Sequence, residues 1–157
     1  MYGVPYLHPY PYPYYFNVPM YDYGARHPYW TIPCKPMPFR IPLRDYGSKP
    51  FVVNIDKAAK QNNTFRTALW TGRHLQVTLM SINVGEDIGL EVHPTVDQFL
   101  RIEEGQGIVK MGDTKDNLYF EKSVYDDYAI MVPAGKWHNI INTGNRPLKL
   151  YSIYAPP

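Results

Sequence analysis

The sequence predicts an all-β barrel or sandwich from about residue 50 to residue 157, preceded by an extended arm rich in proline and tyrosine. Short apolar and β-branched segments recur along the second part of the chain, and glycines and Asn/Asp clusters separate them. Strands of this length and spacing are typical of sandwiches and barrels. The first thirty residues instead hold nine of the 15 tyrosines. We therefore predict an arm and linker over residues 1–49 and a barrel domain over residues 50–157.

The arm, residues 1–38, has a proline density that excludes a helix or a central strand and favours extended polyproline-II segments. Its only charged residues are Asp22, Arg26 and Lys35. A solvating tail is normally charged and poor in aromatic residues, whereas tyrosine rings offer large apolar faces with a polar tip. Two interpretations stay open: a mobile tail of biased composition, or an arm that docks on its own barrel or on a neighbouring subunit.

A linker over residues 39–50 leads into the predicted strands. Residues 51–55 are expected to form a short strand, and Asp56 is expected to cap a brief helix over residues 57–62. The remaining strands are predicted, in chain order, over residues 65–70, 74–84, 91–93, 96–103, 107–111, 117–121, 129–132, 137–142 and 148–154. No internal repeat, phosphate-binding glycine loop or serine-nucleophile motif accompanies them.

Charge and hydropathy argue against several classes of protein. The formal net charge is +2 with lysines and arginines scattered along the chain, whereas a nucleic-acid-binding protein normally has a clustered basic face. No stretch approaches the roughly 18 apolar residues of a membrane helix, and no signal peptide is recognisable. A single cysteine, Cys34, allows no internal disulfide framework. We expect a protein that is cytoplasmic as synthesised, with later deposition in a spore coat or another surface layer left open.

Glu91, His93 and His138 are candidate metal ligands. Glu91 and His93 are two residues apart, which on a strand places both side chains on one face. His138 follows the tight turn expected at Pro133 and Gly135 and lies in an otherwise apolar strand. A lone histidine on an apolar face is more often a hydrogen-bonded core residue than a ligand. Two of them, with a glutamate beside one, favour a metal site.

Gln98 is the fourth candidate ligand. On the strand predicted over residues 96–103 it shares a face with apolar Val96, Leu100 and Ile102, while Asp97 lies on the charged face. A buried amide needs a hydrogen-bonding partner. A metal, or a ligand beside the metal, would supply one.

The spacing of these residues resembles the two sequence motifs of the cupin superfamily, over about residues 50 to 157. The first motif normally runs glycine, His-x-His, glutamate, glycine, and the second runs glycine, Pro-x-Gly, histidine, asparagine. The first motif is matched by Gly85, Glu91 in place of the first histidine, His93, Gln98 in place of the glutamate, and Gly105. The second is matched by Pro133, Gly135, His138 and Asn142, with Asp127 in place of the leading glycine.

The resemblance implies a cupin-type double-stranded β-helix, or jelly-roll barrel, of the small single-domain kind often labelled mannose-6-phosphate isomerase-like. It also implies a divalent metal ion held by Glu91, His93, Gln98 and His138. This mixed nitrogen and oxygen set suits Fe(II), Mn(II), Co(II), Ni(II) or Zn(II). Two roles stay open for Gln98, because it would act either as a direct ligand or as the group that orients a metal-bound water.

Three functions are consistent with these features. The sequence favours a metal-binding cupin whose arm mediates self-assembly into a homodimer or larger homo-oligomer. The proline- and tyrosine-rich composition of the arm resembles that of spore-coat and surface-layer proteins. The alternative is a metal-dependent enzyme, either an isomerase of sugar phosphates, for which no phosphate clamp is evident, or an Fe(II) dioxygenase. The third is a cupin that binds a small-molecule ligand without turnover. No residue is predicted to be catalytic, and neither nucleic acid nor membrane is an expected partner.

Overall fold

The computed structural model describes residues 40–156 and confirms the all-β prediction for that part of the chain. The predicted arm, with Cys34, lies outside the described residues. The described part contains helix α1 (Ile55–Gln61) and strands β1 (Arg66–Thr71), β2 (Gln76–Ile82), β3 (Glu91–Val92), β4 (Asp97–Glu104), β5 (Gln106–Gly112), β6 (Phe120–Tyr125), β7 (Ala129–Val132), β8 (Trp137–Asn142) and β9 (Leu148–Ala155). Within this part, no helix has the length and hydropathy needed to cross a membrane.

Two antiparallel sheets form the double-stranded β-helix that the sequence motifs imply. One sheet has the strand order β1-β2-β9-β4-β7, and the other has the order β3-β8-β5-β6. This order makes neighbours of strands that are distant in sequence. In particular, β3 pairs with β8, and Glu91 lies directly opposite His138 in the register. The fold therefore brings the two halves of the candidate metal site together.

The main core lies between the two sheets. Met80, Leu100 and Leu150 extend from the five-stranded sheet, Val109 and Ile140 extend from the other sheet, and none is more than 2% exposed. Cross-strand neighbours share a face, so the inward positions follow from the register of β2, β9 and β4. Beyond the apolar core these inward positions become polar, and they are Gln76, Thr78, Gln98, Ser152 and Tyr154.

A second apolar cluster covers the outer face of the five-stranded sheet. Its buried members are Leu69 and Leu79 from β1 and β2, and Ala58 and Ala59 from α1. Part of the segment predicted as a linker packs against this cluster through three side chains, those of Ile41, Leu43 and Tyr46. Residues 41–46 therefore contribute to the packing of the barrel domain.

The prediction of a strand over residues 51–55 is wrong, although its alternating pattern is real. Phe51, Val53 and Ile55 face the second cluster while Val52 is exposed, but none of the described strands hydrogen-bonds to this segment. Phe51 instead stacks on Tyr46, with ring centroids 4.0 Å apart. An extended segment without a partner strand satisfies the alternation and still forms no sheet.

The capping residue of α1 and the position of one later strand also differ from the prediction. Helix α1 is capped by Asn54, whose side chain accepts a hydrogen bond of 2.9 Å from the Lys57 amide, and not by Asp56. Asp56 lies in the first turn and pairs with Lys60 one turn later. The strand predicted over residues 117–121 is Phe120–Tyr125, because residues 114–117 form a turn closed by the Asn117 amide.

Lys149 is a buried lysine without a carboxylate partner. It is 7% exposed, and its Nζ donates to the Asn62 carbonyl, to Asn63 Oδ1 at 3.0 Å and to Ser81 Oγ at 2.9 Å. We expect Lys149→Met to lower the free energy of unfolding by about 2–4 kcal/mol, because three acceptors lose a charged donor. Urea denaturation measures this difference, and Lys110→Met, which removes a surface partner of Glu121, is the matched control with less than about 0.5 kcal/mol expected.

The same lysine predicts a pH dependence. Burial lowers the pKa of Lys149 from its ordinary value of 10.5. The folded protein therefore holds this proton less tightly than the unfolded chain does, and the contribution of Lys149 to stability increases as the pH rises towards 10.5. The stability difference between wild type and Lys149→Met should widen as the pH rises towards 10.5. A difference that narrows as the pH rises contradicts the assignment.

Candidate metal centre

Glu91, His93 and His138 converge at the polar end of the barrel interior. Glu91 Oε1 lies 3.4 Å from His93 Nε2 and 3.4 Å from His138 Nε2. All three donor atoms lie within 4.8 Å of one another. Ligand atoms that share one metal ion at about 2.0–2.2 Å are roughly 3–3.5 Å apart, so the separations from Glu91 Oε1 fit donors to a single ion.

The same three atoms make no hydrogen bond within the described residues. Glu91 Oε1, His93 Nε2 and His138 Nε2 are each buried, and none has a hydrogen-bond partner among residues 40–156. A buried polar atom without a partner is costly. One cation among them would satisfy all three, so the donor set fits a divalent metal.

The hydrogen bonding of His138 prepares it to act as a ligand. The residue is fully buried, and its Nδ1 lies 3.1 Å from the Lys136 carbonyl oxygen. Because a carbonyl oxygen only accepts hydrogen bonds, Nδ1 carries a proton, and in the neutral imidazole Nε2 presents its lone pair towards Glu91 and His93. A backbone carbonyl that fixes the tautomer in this way is a common support for metal-binding histidines.

The turn before β8 connects the two motifs. The Gly135 amide donates a 2.8 Å hydrogen bond to the His93 carbonyl, and Gly135 has a φ of +79°, a conformation that favours glycine. Asp97, which the sequence placed on a charged face, accepts a 2.8 Å hydrogen bond from the Ala134 amide. The turn is thus held from both sides, which positions His93 and His138 relative to each other.

Glu91 is charged in this environment. Burial by itself raises the pKa of the Glu91 carboxyl, but the His138 imidazole and the Arg66 guanidinium outweigh this effect, and the pKa is lowered below its ordinary value. The Arg66 contact is long, with a terminal nitrogen 3.5 Å from Glu91 Oε2. The carboxylate therefore keeps Oε1 available while Oε2 is oriented by a cation.

Gln98 faces the barrel interior as the alternation on β4 predicted. It is 2% exposed, its Nε2 donates to Ser152 Oγ at 2.9 Å, and its Oε1 has no partner. In this orientation of the amide the oxygen is the free end. Direct ligation and orientation of a bound water both use that free oxygen, and both stay predictions.

Three residues of this region were not singled out by the sequence. Tyr154 is 8% exposed, its hydroxyl has no partner, and its ring lies 5.3 Å from the His93 ring at an interplanar angle of 82°. Thr78 is 4% exposed with an unpartnered hydroxyl, and Arg66 contacts Glu91. The alternation of β9, with Leu148, Leu150, Ser152 and Tyr154 on one face, is the signal that points to Tyr154.

Comparison with known proteins identifies the relatives of this chain. Residues 78–154 match the family model described as "Cupin domain". The Bacillus subtilis protein YrkC is 65% identical over 157 aligned residues, which cover 92% of this chain and 84% of YrkC. The mimivirus protein L612 is 41% identical over 107 residues, covering 68% of this chain and 65% of L612. Both relatives are described as uncharacterized, so they indicate family and no activity.

A solved structure agrees with this assignment. The crystal structure of BH2720 from Bacillus halodurans superimposes with a TM-score of 0.72 at 70% sequence identity, covering 73% of this chain and 87% of that chain. Similarity at this level extends over most of the described barrel.

Proposed function

Because this chain belongs to the cupin family, we propose that it is a divalent-metal-binding cupin that holds a small molecule at a metal centre in the polar end of its barrel. One observation carries the proposal. Two imidazole nitrogens and one carboxylate oxygen converge while buried, and none of the three has another partner. A purely structural role would leave such atoms hydrogen-bonded.

Glu91, His93 and His138 would hold the ion, with Gln98 as a fourth ligand or as a neighbour of a bound water. Two imidazoles and one carboxylate suit Fe(II), Mn(II), Co(II), Ni(II) or Zn(II). Such an ion, when bound, supplies a Lewis acid for an oxygen atom of the ligand. Arg66 keeps Glu91 charged, and the Lys136 carbonyl keeps the His138 tautomer that a metal requires.

Metal content tests the proposal directly. We expect purified full-length protein, stripped with a chelator and then titrated with Mn(II), Co(II), Ni(II), Zn(II) and, under anaerobic conditions, Fe(II), to bind about one ion per chain. Elemental analysis of the untreated protein identifies the native metal, and isothermal titration calorimetry gives stoichiometry and affinity. Absence of saturable binding for all five ions would sink the proposal.

The two enzymatic alternatives share this centre but differ in what else they need. An isomerase of sugar phosphates needs a cluster of cations for the phosphate, and Arg66 is the one charged cation among the residues that line the pocket beside His93. An Fe(II) dioxygenase needs only the metal with open positions. The site therefore supports ligand binding at a metal without favouring a particular reaction.

Self-assembly through the arm is a separate proposal that rests on composition. Light scattering of full-length protein and of a form lacking residues 1–38 tests it, since only an arm-mediated oligomer dissociates on truncation. No observation on residues 40–156 favours a spore-coat role, which stays a sequence-based prediction.

A further inference from the structure

A small pocket lies beside the metal centre. Its volume is about 240 Å³, and its lining residues are Arg66, Gln76, Thr78, His93, Val96 and Tyr154. Pockets for drug-sized ligands begin at about 300 Å³, so this one suits a smaller molecule. His93 belongs both to this pocket and to the candidate metal centre, so the two are adjacent.

Two buried hydroxyl groups in the pocket wall have no partner. Thr78 and Tyr154 are both more than nine-tenths buried, and neither Thr78 Oγ1 nor the Tyr154 hydroxyl makes a hydrogen bond to the part of the chain that the structure describes. Each hydroxyl is able to donate. A buried hydroxyl without a partner lowers the stability of the fold. Hydrogen bonds to an acceptor atom of a ligand would remove this loss.

The pocket also contains a guanidinium with unused donors. Arg66 is 40% exposed at its side chain, and its contact with Glu91 is a single long one of 3.5 Å. A guanidinium has five N–H donors in a planar fork. Gln76 Nε2 donates one of its two hydrogens to Thr71 Oγ1 at 3.1 Å, so the donors of the pocket include the second Gln76 hydrogen together with those of Arg66, Thr78 and Tyr154.

We propose that this pocket binds the carboxylate group of a small organic acid, with Arg66, Thr78 and Tyr154 as the recognition residues. The inference deepens the proposed function and rests on it, because the rest of such an acid extends past His93 towards the metal centre. A planar carboxylate matches the guanidinium fork, and the single long contact of Arg66 with Glu91 leaves most of its donors for such a group. A phosphate group carries up to about two charges, which one arginine does not balance.

A larger hollow elsewhere on the barrel lacks these features. It measures about 610 Å³ and is lined by loop residues between Gly105 and Arg146. None of its lining residues carries a buried, unpartnered side-chain polar atom. The volume of a hollow therefore does not identify the ligand site. The unpartnered hydroxyls of Thr78 and Tyr154 favour the smaller pocket.

Calorimetry with defined probes tests the proposal. Acetate, malonate and succinate are titrated into metal-loaded and metal-free full-length protein, with acetamide and malonamide as uncharged counterparts and inorganic phosphate as the competing anion. We expect saturable binding of at least one acid and none of its amide. Arg66→Met should weaken acid binding about 10–100-fold, and Thr78→Val and Tyr154→Phe about 3–10-fold each.

The controls separate recognition from other effects. Arg146→Met removes an arginine whose pairing with Glu104 is equally loose, at 3.4 Å, and should leave acid binding unchanged. Arg66→Lys retains the charge without the fork and should recover only part of the affinity. Circular dichroism and elemental analysis of every variant verify that fold and metal content are preserved.

Several results would overturn the carboxylate assignment. These are equal affinity for an acid and its amide, unchanged affinity in Arg66→Met, tighter binding of phosphate than of every acid, or no binding of any acid to metal-loaded protein. Metal content measured on the same samples separates this failure from that of the metal centre. Acid binding that depends on Arg66 in a protein that takes up no metal supports the pocket and contradicts only the metal site.

Discussion

Replacing His93 with alanine is expected to weaken metal binding at least about 100-fold while the barrel remains folded. The substitution removes one of three donors, and even the outer partners of ligands are worth 10–100-fold in affinity, so a direct ligand should be worth more. His93 follows β3, the edge strand of the four-stranded sheet, and its side chain is 27% exposed. Truncation there removes little apolar packing. Calorimetry with the native metal measures the affinity, and circular dichroism verifies the fold.

His74→Ala is the matched control for this experiment. His74 is an exposed histidine that precedes β2 and is outside the metal-ligand cluster found among the described residues. Its loss should leave metal affinity and stoichiometry at wild-type values. Equal affinities in wild type and His93→Ala would mean that the ion is bound elsewhere, and equal losses in both variants would mean that histidines act non-specifically.

The parts of the site that the sequence predicted are those encoded by short spacings. Glu91 and His93 share a face because they are two residues apart on an extended segment. His138 is positioned by the turn at Pro133 and Gly135 that precedes it, and the structure shows this turn bonded to the His93 carbonyl. What local spacing does not provide is the pairing of β3 with β8, which places Glu91 opposite His138. The resemblance to the cupin motifs supplied that expectation.

Arg66, Thr78 and Tyr154 escaped prediction for a physical reason. They lie on β1, β2 and β9, whose sequences are ordinary strands with no motif spacing. They line one pocket because the five-stranded sheet places β2 between β1 and β9. The alternation within one strand predicts that a polar residue faces inward. Which residues lie beside it depends on the pairing register of several strands.

The segment over residues 51–55 shows what the alternation of side chains does not predict. Alternation predicted a strand, and the buried and exposed sides alternate as expected. A strand also needs a neighbouring strand with free backbone groups, and this segment instead packs its side chains against the outer face of the sheet. Periodicity therefore identified which side chains are buried and did not identify the hydrogen-bonded element.

His138→Leu is expected to have little effect on stability without metal and a large effect with it. In chelated protein the wild-type imidazole leaves a buried Nε2 without a partner, at a cost of about 1–3 kcal/mol. Leucine removes this cost and forfeits the bond from Nδ1 to the Lys136 carbonyl, worth about 1 kcal/mol. The chelated variant should therefore be within about 1 kcal/mol of wild type, or slightly more stable.

With metal added, the same substitution should be strongly destabilising. A ligand present at 100 to 1,000 times its dissociation constant stabilises the folded state by about 2.7–4.1 kcal/mol, and the variant loses most of this gain. Ile140→Val, a buried neighbour on the same strand face, is the control and should cost about 0.5–1.5 kcal/mol with or without metal. Urea denaturation with metal and with chelator provides all six free energies. An equal cost of His138→Leu in both conditions would show that His138 is a packing residue, because only a ligand to the ion couples its contribution to the metal concentration.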